Sequence, residues 1–151
     1  MTNLNPPQVV LLTIQGRTLG VPVGSVREIR GWEAVTPLTG APAHVLGVLN
    51  LRGDVVTVID LAKRLSFAEP ASTDGAVVIV VEHQGGLAGL LCEAVSDIAD
   101  ATREQLRDVP AHNGDEALLT NLLVRDDAIV GVLNLEATIG AAMQAAAAEA
   151  A

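Results

Sequence analysis

The sequence is divided into short apolar runs, rich in Val, Leu and Ile, that are separated by turn residues. A run such as 76–81 has the length of a strand and is too short to span a membrane. The chain has one Trp, one Phe and no Tyr, so its core must be aliphatic, and β-branched side chains favour strands. Many short strands with few helices predict a small all-β barrel arrangement.

Strands are predicted where apolar runs flank short turns, as at Gln15-Gly16-Arg17 and Arg52-Gly53. Asp60 is predicted to cap a short helix that runs to Leu65. A helical turn is expected at 24–29, a short helix at 103–107, and helix in the alanine-rich end at 137–151. The predicted strands are 9–14, 18–23, 45–51, 55–59, 76–82, 87–92, 93–98, 118–124 and 128–135.

The length of 151 residues suits one domain, or two small barrels that share a core. We expect a disordered N-terminus at 1–7, a single domain at 8–140 and a helical tail at 141–151. The stretch at 66–75 is the clearest internal break and separates the two halves.

The balance of charges argues against a nucleic-acid partner. The formal net charge is −9, and only nine Lys and Arg residues are present, whereas phosphate binding needs clustered bases. The N-terminal residues lack the basic and apolar segments of a signal peptide, and the single Cys92 fits a reducing compartment. The sequence therefore predicts a cytoplasmic protein.

The candidates for nucleophilic or metal chemistry are few and widely spaced: His44, His83, His112 and Cys92. They form no His-x-x-x-His or Cys-x-x-Cys pattern, and the chain has no Gly-x-Ser-x-Gly motif and no phosphate-binding glycine loop. We therefore predict no catalytic residue, no metal and no cofactor, and expect a protein that works by binding.

Arg52 interrupts an apolar run next to Gly53, where the backbone can turn. Its charge is permanent, so the guanidinium must reach solvent, a carboxylate or a partner protein. On local grounds a hairpin turn with a solvated Arg52 and Asp54 explains the pattern equally well.

Eight segments together resemble the CheW family of bacterial chemotaxis coupling proteins, in order and in spacing. The likeness covers roughly residues 8–140, and its Asn-Leu-Arg-Gly and Val-Ser-Asp segments are specific in combination. The segments are 26–32, 41–42, 47–53, 58–61, 76–81, 89–91, 93–98 and 129–133.

The resemblance implies two intertwined, SH3-like, five-stranded β-barrels around a shared hydrophobic core, and an adaptor without a catalytic step. It implies two partners, the cytoplasmic tip of a chemoreceptor and the regulatory domain of the histidine kinase CheA. Such an adaptor is cytoplasmic and is recruited to receptor arrays at the inner face of the membrane, which it meets only through the receptors.

The resemblance also implies which residues bind the receptor. The matching positions are Val26, Glu28 and Arg52, while Asn50 and Gly53 would support the turn that presents Arg52. The alternative is that Glu28 and Arg52 form only an intramolecular salt bridge.

Three departures from the family pattern keep other functions open. Leu19 and His44 stand where an aromatic residue is common, and 119–122 stands where a Tyr and a glycine-rich turn are usual. A specialised scaffold of a non-flagellar chemosensory system would fit these changes. A small-molecule-binding β-barrel would instead hold His44 or His83 against a carboxylate in a deep cavity.

Overall fold

The computed structural model describes residues 7–67, 73–102, 105–109, 118–125 and 128–140, which form two β-sheets with short helices between strands. The helices are α1 (Leu61–Arg64) and α2 (residues 135–140), and a 3-10 turn covers Val23–Ser25. The strands are β1 (Gln8–Ile14), β2 (Arg17–Pro22), β3 (Val26–Gly31), β4 (Val45–Leu51), β5 (Asp54–Asp60), β6 (Val77–His83), β7 (Gly86–Cys92), β8 (Ala94–Asp100), β9 (Leu106–Asp108), β10 (Leu119–Arg125) and β11 (Ala128–Leu133).

The two sheets divide the chain unequally. The first sheet has the strand order β8-β1-β2-β11-β10-β9, so it joins the opening hairpin to the last four strands. The second sheet has the order β3-β6-β7-β5-β4 and is built from one continuous stretch of chain. Neighbours are antiparallel except β2 with β11 and β5 with β7, and the latter pair is connected through α1 and β6.

Both sheets contribute to one central hydrophobic core. Leu12 and Ile14 of the first sheet and Ile79 and Leu90 of the second are fully buried in the same cluster. Two smaller clusters lie against individual sheets, and Trp32 packs against the one formed by the second sheet. The all-β prediction with a shared core is confirmed, and the three-residue strand β9 adds a sixth strand to the first sheet.

Three hairpins turn through two residues that both have positive φ, as in type I′ turns. The first residue of each pair is not glycine: φ is 48° at Gln15, 53° at Arg52 and 50° at Gln84, and glycine follows each one. The positive φ of both residues matches the twist of the flanking strands, so these turns fix the strand register.

The helical ends are capped by side chains. Asp60 accepts hydrogen bonds from the backbone N–H of Ala62 and Lys63, which confirms the predicted cap of α1. Asn134 caps α2 by accepting from the N–H of Ala137 at 3.2 Å. Arg64 at the end of α1 donates to the carbonyl of Thr138 at 3.0 Å and thereby ties α1 to α2.

Two local predictions were wrong. At 24–29, only the 3-10 turn is helical, and the chain then extends as β3 because pairing with β6 outweighs local propensity. At 103–107, the last two residues belong to β9, where Leu106 pairs with Leu123, and 103–104 lie outside the described residues. The predicted tail at 141–151, nearly all of the predicted N-terminus, half of the break at 66–75, and His112 lie outside the described residues.

Candidate functional site

An open groove of about 510 Å³ lies at one end of the second sheet. Three elements form its walls: β3, the β4–β5 hairpin and the β6–β7 hairpin. The lining residues are Arg27, Glu28, Leu51, Arg52, Asp54, Val55, Val80, Glu82, Gly85, Gly86 and Leu87.

A β-bulge in β3 gives this groove two charged residues that are adjacent in sequence. Val26 pairs with Val81 and Glu28 pairs with Val80, so Arg27 is an extra residue in the ladder. Side chains of consecutive strand residues normally point to opposite faces, and a bulge re-aims one of them. As a result, both Arg27 and Glu28 line the groove.

The β4–β5 turn presents Arg52 at the rim. Leu51 pairs with Asp54, so Arg52 and Gly53 are the two turn residues. The side-chain oxygen of Asn50 accepts a hydrogen bond of 2.7 Å from the N–H of Gly53, which closes the turn. The Arg52 side chain is 69% exposed at this position.

Glu28 is held by two arginines from different elements. Arg52 Nη2 donates to Oε2 of Glu28, and Arg30 Nη1 donates to Oε1 at 2.9 Å. Arg30 also donates to Glu33 from both Nε and Nη2, so its guanidinium is fixed by two carboxylates. These bonds, first that of Arg52 and then that of Arg30, hold the pKa of Glu28 below its usual value.

A second ion pair stands on the same groove. Arg27 Nε donates to Oε1 of Glu82 at 2.9 Å, and Nη2 of the same guanidinium donates to the same oxygen. Glu82 is the penultimate residue of β6, just before the turn that completes this wall.

Apolar side chains also line the groove. Val55 is 65% exposed, whereas Leu87, which pairs with Val56 on the neighbouring strand, packs partly against the core cluster of the second sheet. The β6–β7 turn is anchored to α2, because Gln84 Nε2 donates to Glu136 at 2.8 Å. The groove therefore combines an exposed valine with ion pairs that are fixed to its walls.

The structure brings together most of the site residues that the sequence indicated. Glu28 and Arg52 are in contact, which is the intramolecular salt bridge of the alternative interpretation, and Asn50 and Gly53 share the turn below them. Val26 begins β3 but packs against the central core instead of lining the groove.

Sequence reasoning missed Arg27, Asp54 and Glu82 as residues of the groove. No sequence pattern marks a bulge at Arg27, and the contact with Glu82 joins residues that are 55 positions apart. Among these three residues, only Asp54 could have been found from the sequence, because it directly follows the predicted Arg52-Gly53 turn.

The described candidates for reactive chemistry, His44, His83 and Cys92, do not line the groove. Burial raises the pKa of the Cys92 thiol to about 12, and burial followed by the charge of Arg64 lowers the pKa of His44. His83 Nε2 lies 2.8 Å from Glu136; the His83 side chain is 15% exposed and that of Glu136 is 65% exposed, so the carboxylate of this pair faces solvent while the imidazole is mostly buried. The described residues contain no cluster of His, Cys, Asp and Glu that could hold a metal.

The described part of the chain has no helix long and apolar enough to cross a membrane.

Comparison with known families gives a match of residues 8–143 to the CheW-like domain. The chain belongs to the CheW-like domain family.

Curated CheW relatives support the same conclusion. The chain is 36% identical to the probable chemotaxis protein CheW of Rhizobium etli over 137 residues, which cover 89% of this chain and 88% of the relative. It is 37% identical to chemotaxis protein CheW of Rhizobium meliloti over 103 residues, covering 68% and 66% of the two chains.

The fold is also that of a solved CheW structure. The scaffolding protein TtCheW from Thermoanaerobacter tengcongensis superimposes with a TM-score of 0.79 at 26% identity, covering 86% of this chain and 90% of that one. The predicted architecture of SH3-like β-barrel subdomains is thereby confirmed.

Proposed function

We propose that this chain is a non-catalytic adaptor that couples the cytoplasmic tip of a chemoreceptor to the regulatory domain of the histidine kinase CheA. The observation that carries the proposal is the groove of the second sheet, in which the CheW-like residues Glu28 and Arg52 meet near the exposed Val55. In this proposal the protein works in the cytoplasm and reaches the membrane only through receptor arrays at its inner face.

The groove has the properties of a docking site for helices. Amphipathic helices bind by laying an apolar stripe into a groove, and the exposed Val55 and the partly buried Leu87 are the apolar contacts that this groove offers. Charges at the rim add little affinity by themselves but fix the register and exclude wrong partners. Glu28 and Arg52 stand at the position for that task.

The internal salt bridge and the contact role are compatible. Arg52 uses Nη2 on Glu28, and a guanidinium has further N–H donors for a partner. We assign receptor contact to Glu28 and Arg52, support of the turn to Asn50 and Gly53, and an indirect role to Val26, the first residue of β3, which packs against the central core.

The decisive experiment is a pull-down from the source bacterium with the wild-type protein, an Arg52→Ala variant and an Arg107→Ala control. Arg107 is an exposed arginine on β9 of the other sheet, away from the groove, so its removal should leave recovery of the receptor unchanged. We expect the wild type to recover a receptor and a histidine kinase, and Arg52→Ala to lose only the receptor. Recovery of neither partner by the wild type would contradict the proposal.

The identity of the recovered receptor also decides between pathways. A receptor and kinase encoded with flagellar genes would indicate a swimming pathway, whereas a set encoded without them would indicate the specialised scaffold considered from the sequence. The small-molecule alternative gains no support from His83, because its neighbour Glu136 is exposed to solvent.

A further inference from the structure

We propose that the Arg27–Glu82 pair is a second recognition point of the groove, at which the bound helix presents a carboxylate to Arg27. This inference rests on the proposed receptor-binding function, and it adds a charge requirement for the partner. The Glu28–Arg52 pair would meet one side of the bound helix, and the Arg27–Glu82 pair another.

The geometry leaves Arg27 able to bind a second carboxylate. Its Nε and Nη2 both donate to one oxygen of Glu82, at 2.9 and 2.5 Å. A guanidinium has five N–H donors, and within the described ranges no acceptor is found for those that remain on Arg27. The Arg27 side chain is 58% exposed against 43% for Glu82, so the arginine is the more accessible member.

The bulge in β3 is the second argument. An ion pair between exposed side chains contributes little to folding stability, so stability does not explain an irregular strand here. Bulges occur where a side chain must be re-aimed, often beside functional sites. This one brings Arg27 into the same groove as Glu28.

The distribution of charge then defines the partner. The groove lining carries two arginines, Arg27 and Arg52, and three carboxylates, those of Glu28, Asp54 and Glu82. Asp54, on the β4–β5 hairpin, is the carboxylate outside the two ion pairs of the groove, so a basic side chain of the partner is best placed there, and a carboxylate of the partner at the remaining donors of Arg27. We infer that the partner is a helix with an apolar stripe between an acidic and a basic residue, and that this polarity sets its direction in the groove.

A charge exchange tests the inference, because Arg27→Glu together with Glu82→Arg keeps an intramolecular ion pair but reverses its direction. The probe is the purified cytoplasmic tip fragment of the receptor from the source bacterium, and the readout is its Kd by titration calorimetry. We expect the charge exchange to raise the Kd at least tenfold and Arg107→Ala to leave the Kd unchanged. An unchanged Kd for the exchange, in protein with a wild-type circular dichroism spectrum, would overturn the inference.

The Arg52→Ala variant and lysine variants of the tip fragment separate this inference from the proposed function. If Arg52→Ala weakens binding and the charge exchange does not, only the second recognition point is wrong; if neither weakens it, the groove is not the receptor site. The acidic residues of the tip fragment are also replaced by lysine, one at a time. One of these lysine fragments should bind the charge-exchanged protein more tightly than it binds the wild-type protein. Failure of every lysine fragment to do so would overturn the assignment of a carboxylate to Arg27.

Discussion

Glu28 is paired on both of its oxygens, and the two partners differ in exposure. Arg30 is 31% exposed and is fixed by Glu33, whereas Arg52 is 69% exposed at the tip of a turn. Arg30 therefore holds Glu28 in place, while Arg52 is able to turn toward a partner. The carboxylate keeps its charge and one hydrogen bond when Arg52 moves.

The titration of Glu28 should show this arrangement directly. Because its pKa in the folded protein is below the ordinary value of 4.5, the ion pairs are intact above that pH and are lost as the pH falls through the lowered pKa. Arg52→Ala should raise the pKa of Glu28, since the Arg52 bond is the largest cause of the shift. Carboxyl-detected NMR titration measures both values, and an unchanged pKa in the variant would contradict the pairing in solution.

Cys92 should be unreactive in the folded protein. Its side chain is fully buried and burial raises the pKa of its thiol to about 12, so almost no thiolate exists at pH 8. A thiol reagent such as dithionitrobenzoate should label the native protein very slowly and label one thiol per chain at once in guanidinium chloride. Stoichiometric labelling of native protein within minutes would show that the interior opens more readily than this packing allows.

At the scale of elements, the hairpins could be predicted from the sequence, whereas the bulge in the edge strand β3 and the short edge strand β9 could not. Apolar runs around Arg52-Gly53 predicted β4 and β5, because a glycine turn and strand-length runs are local signals. The bulge at Arg27 and the pairing of β9 with β10 depend on chain segments far away in sequence. Prediction of the site was limited for the same reason. The sequence indicated the turn that carries Arg52, but it did not indicate that Glu82 lies in the same groove.

Gly47 is the position in β4 where a side chain should cost most. Its φ is 149°, and a Cβ there would lie 2.3 Å from the carbonyl oxygen of Thr36, which pairs with Val48. We expect Gly47→Ala to lower the free energy of unfolding by roughly 2 to 4 kcal/mol, from backbone strain and overpacking together. Urea denaturation measures the change.

Gly24→Ala is the matched control for this substitution. Gly24 has no positive φ and no atom within 4 Å of its Cβ position, so its replacement should change stability by about 1 kcal/mol or less. Equal effects at the two positions would mean that the contact of Gly47 with Thr36 does not exist in solution.

At the scale of the whole molecule, the shared core predicts that both sheets unfold together. Leu12 of the first sheet is fully buried in the cluster that also contains Ile79 and Leu90 of the second. Leu12→Ala should lower the free energy of unfolding by about 2 to 5 kcal/mol. The fluorescence of Trp32, which packs on the second sheet, should report the same lowered midpoint as circular dichroism.

Ile129→Ala serves as the control, because Ile129 is 63% exposed on the first sheet and its truncation leaves no internal cavity. Its midpoint should stay close to that of the wild type. A Trp32 midpoint that is unaffected by Leu12→Ala would mean that the second sheet is stable without the first.

In sequence, the strands of the second sheet lie between β2 and β8 of the first sheet, and this order has a consequence for biosynthesis. Strands β3 to β7 leave the ribosome as one uninterrupted block, whereas the β1–β2 hairpin needs β11 and β8, which are made later. Its run at 9–14, almost wholly buried in the finished protein, can then pair with β2 but lacks β8 on its other side while most of the chain is still being translated. Apolar strands with an unpaired edge at this stage are prone to aggregate, so the nascent chain is where we expect chaperones to be needed most.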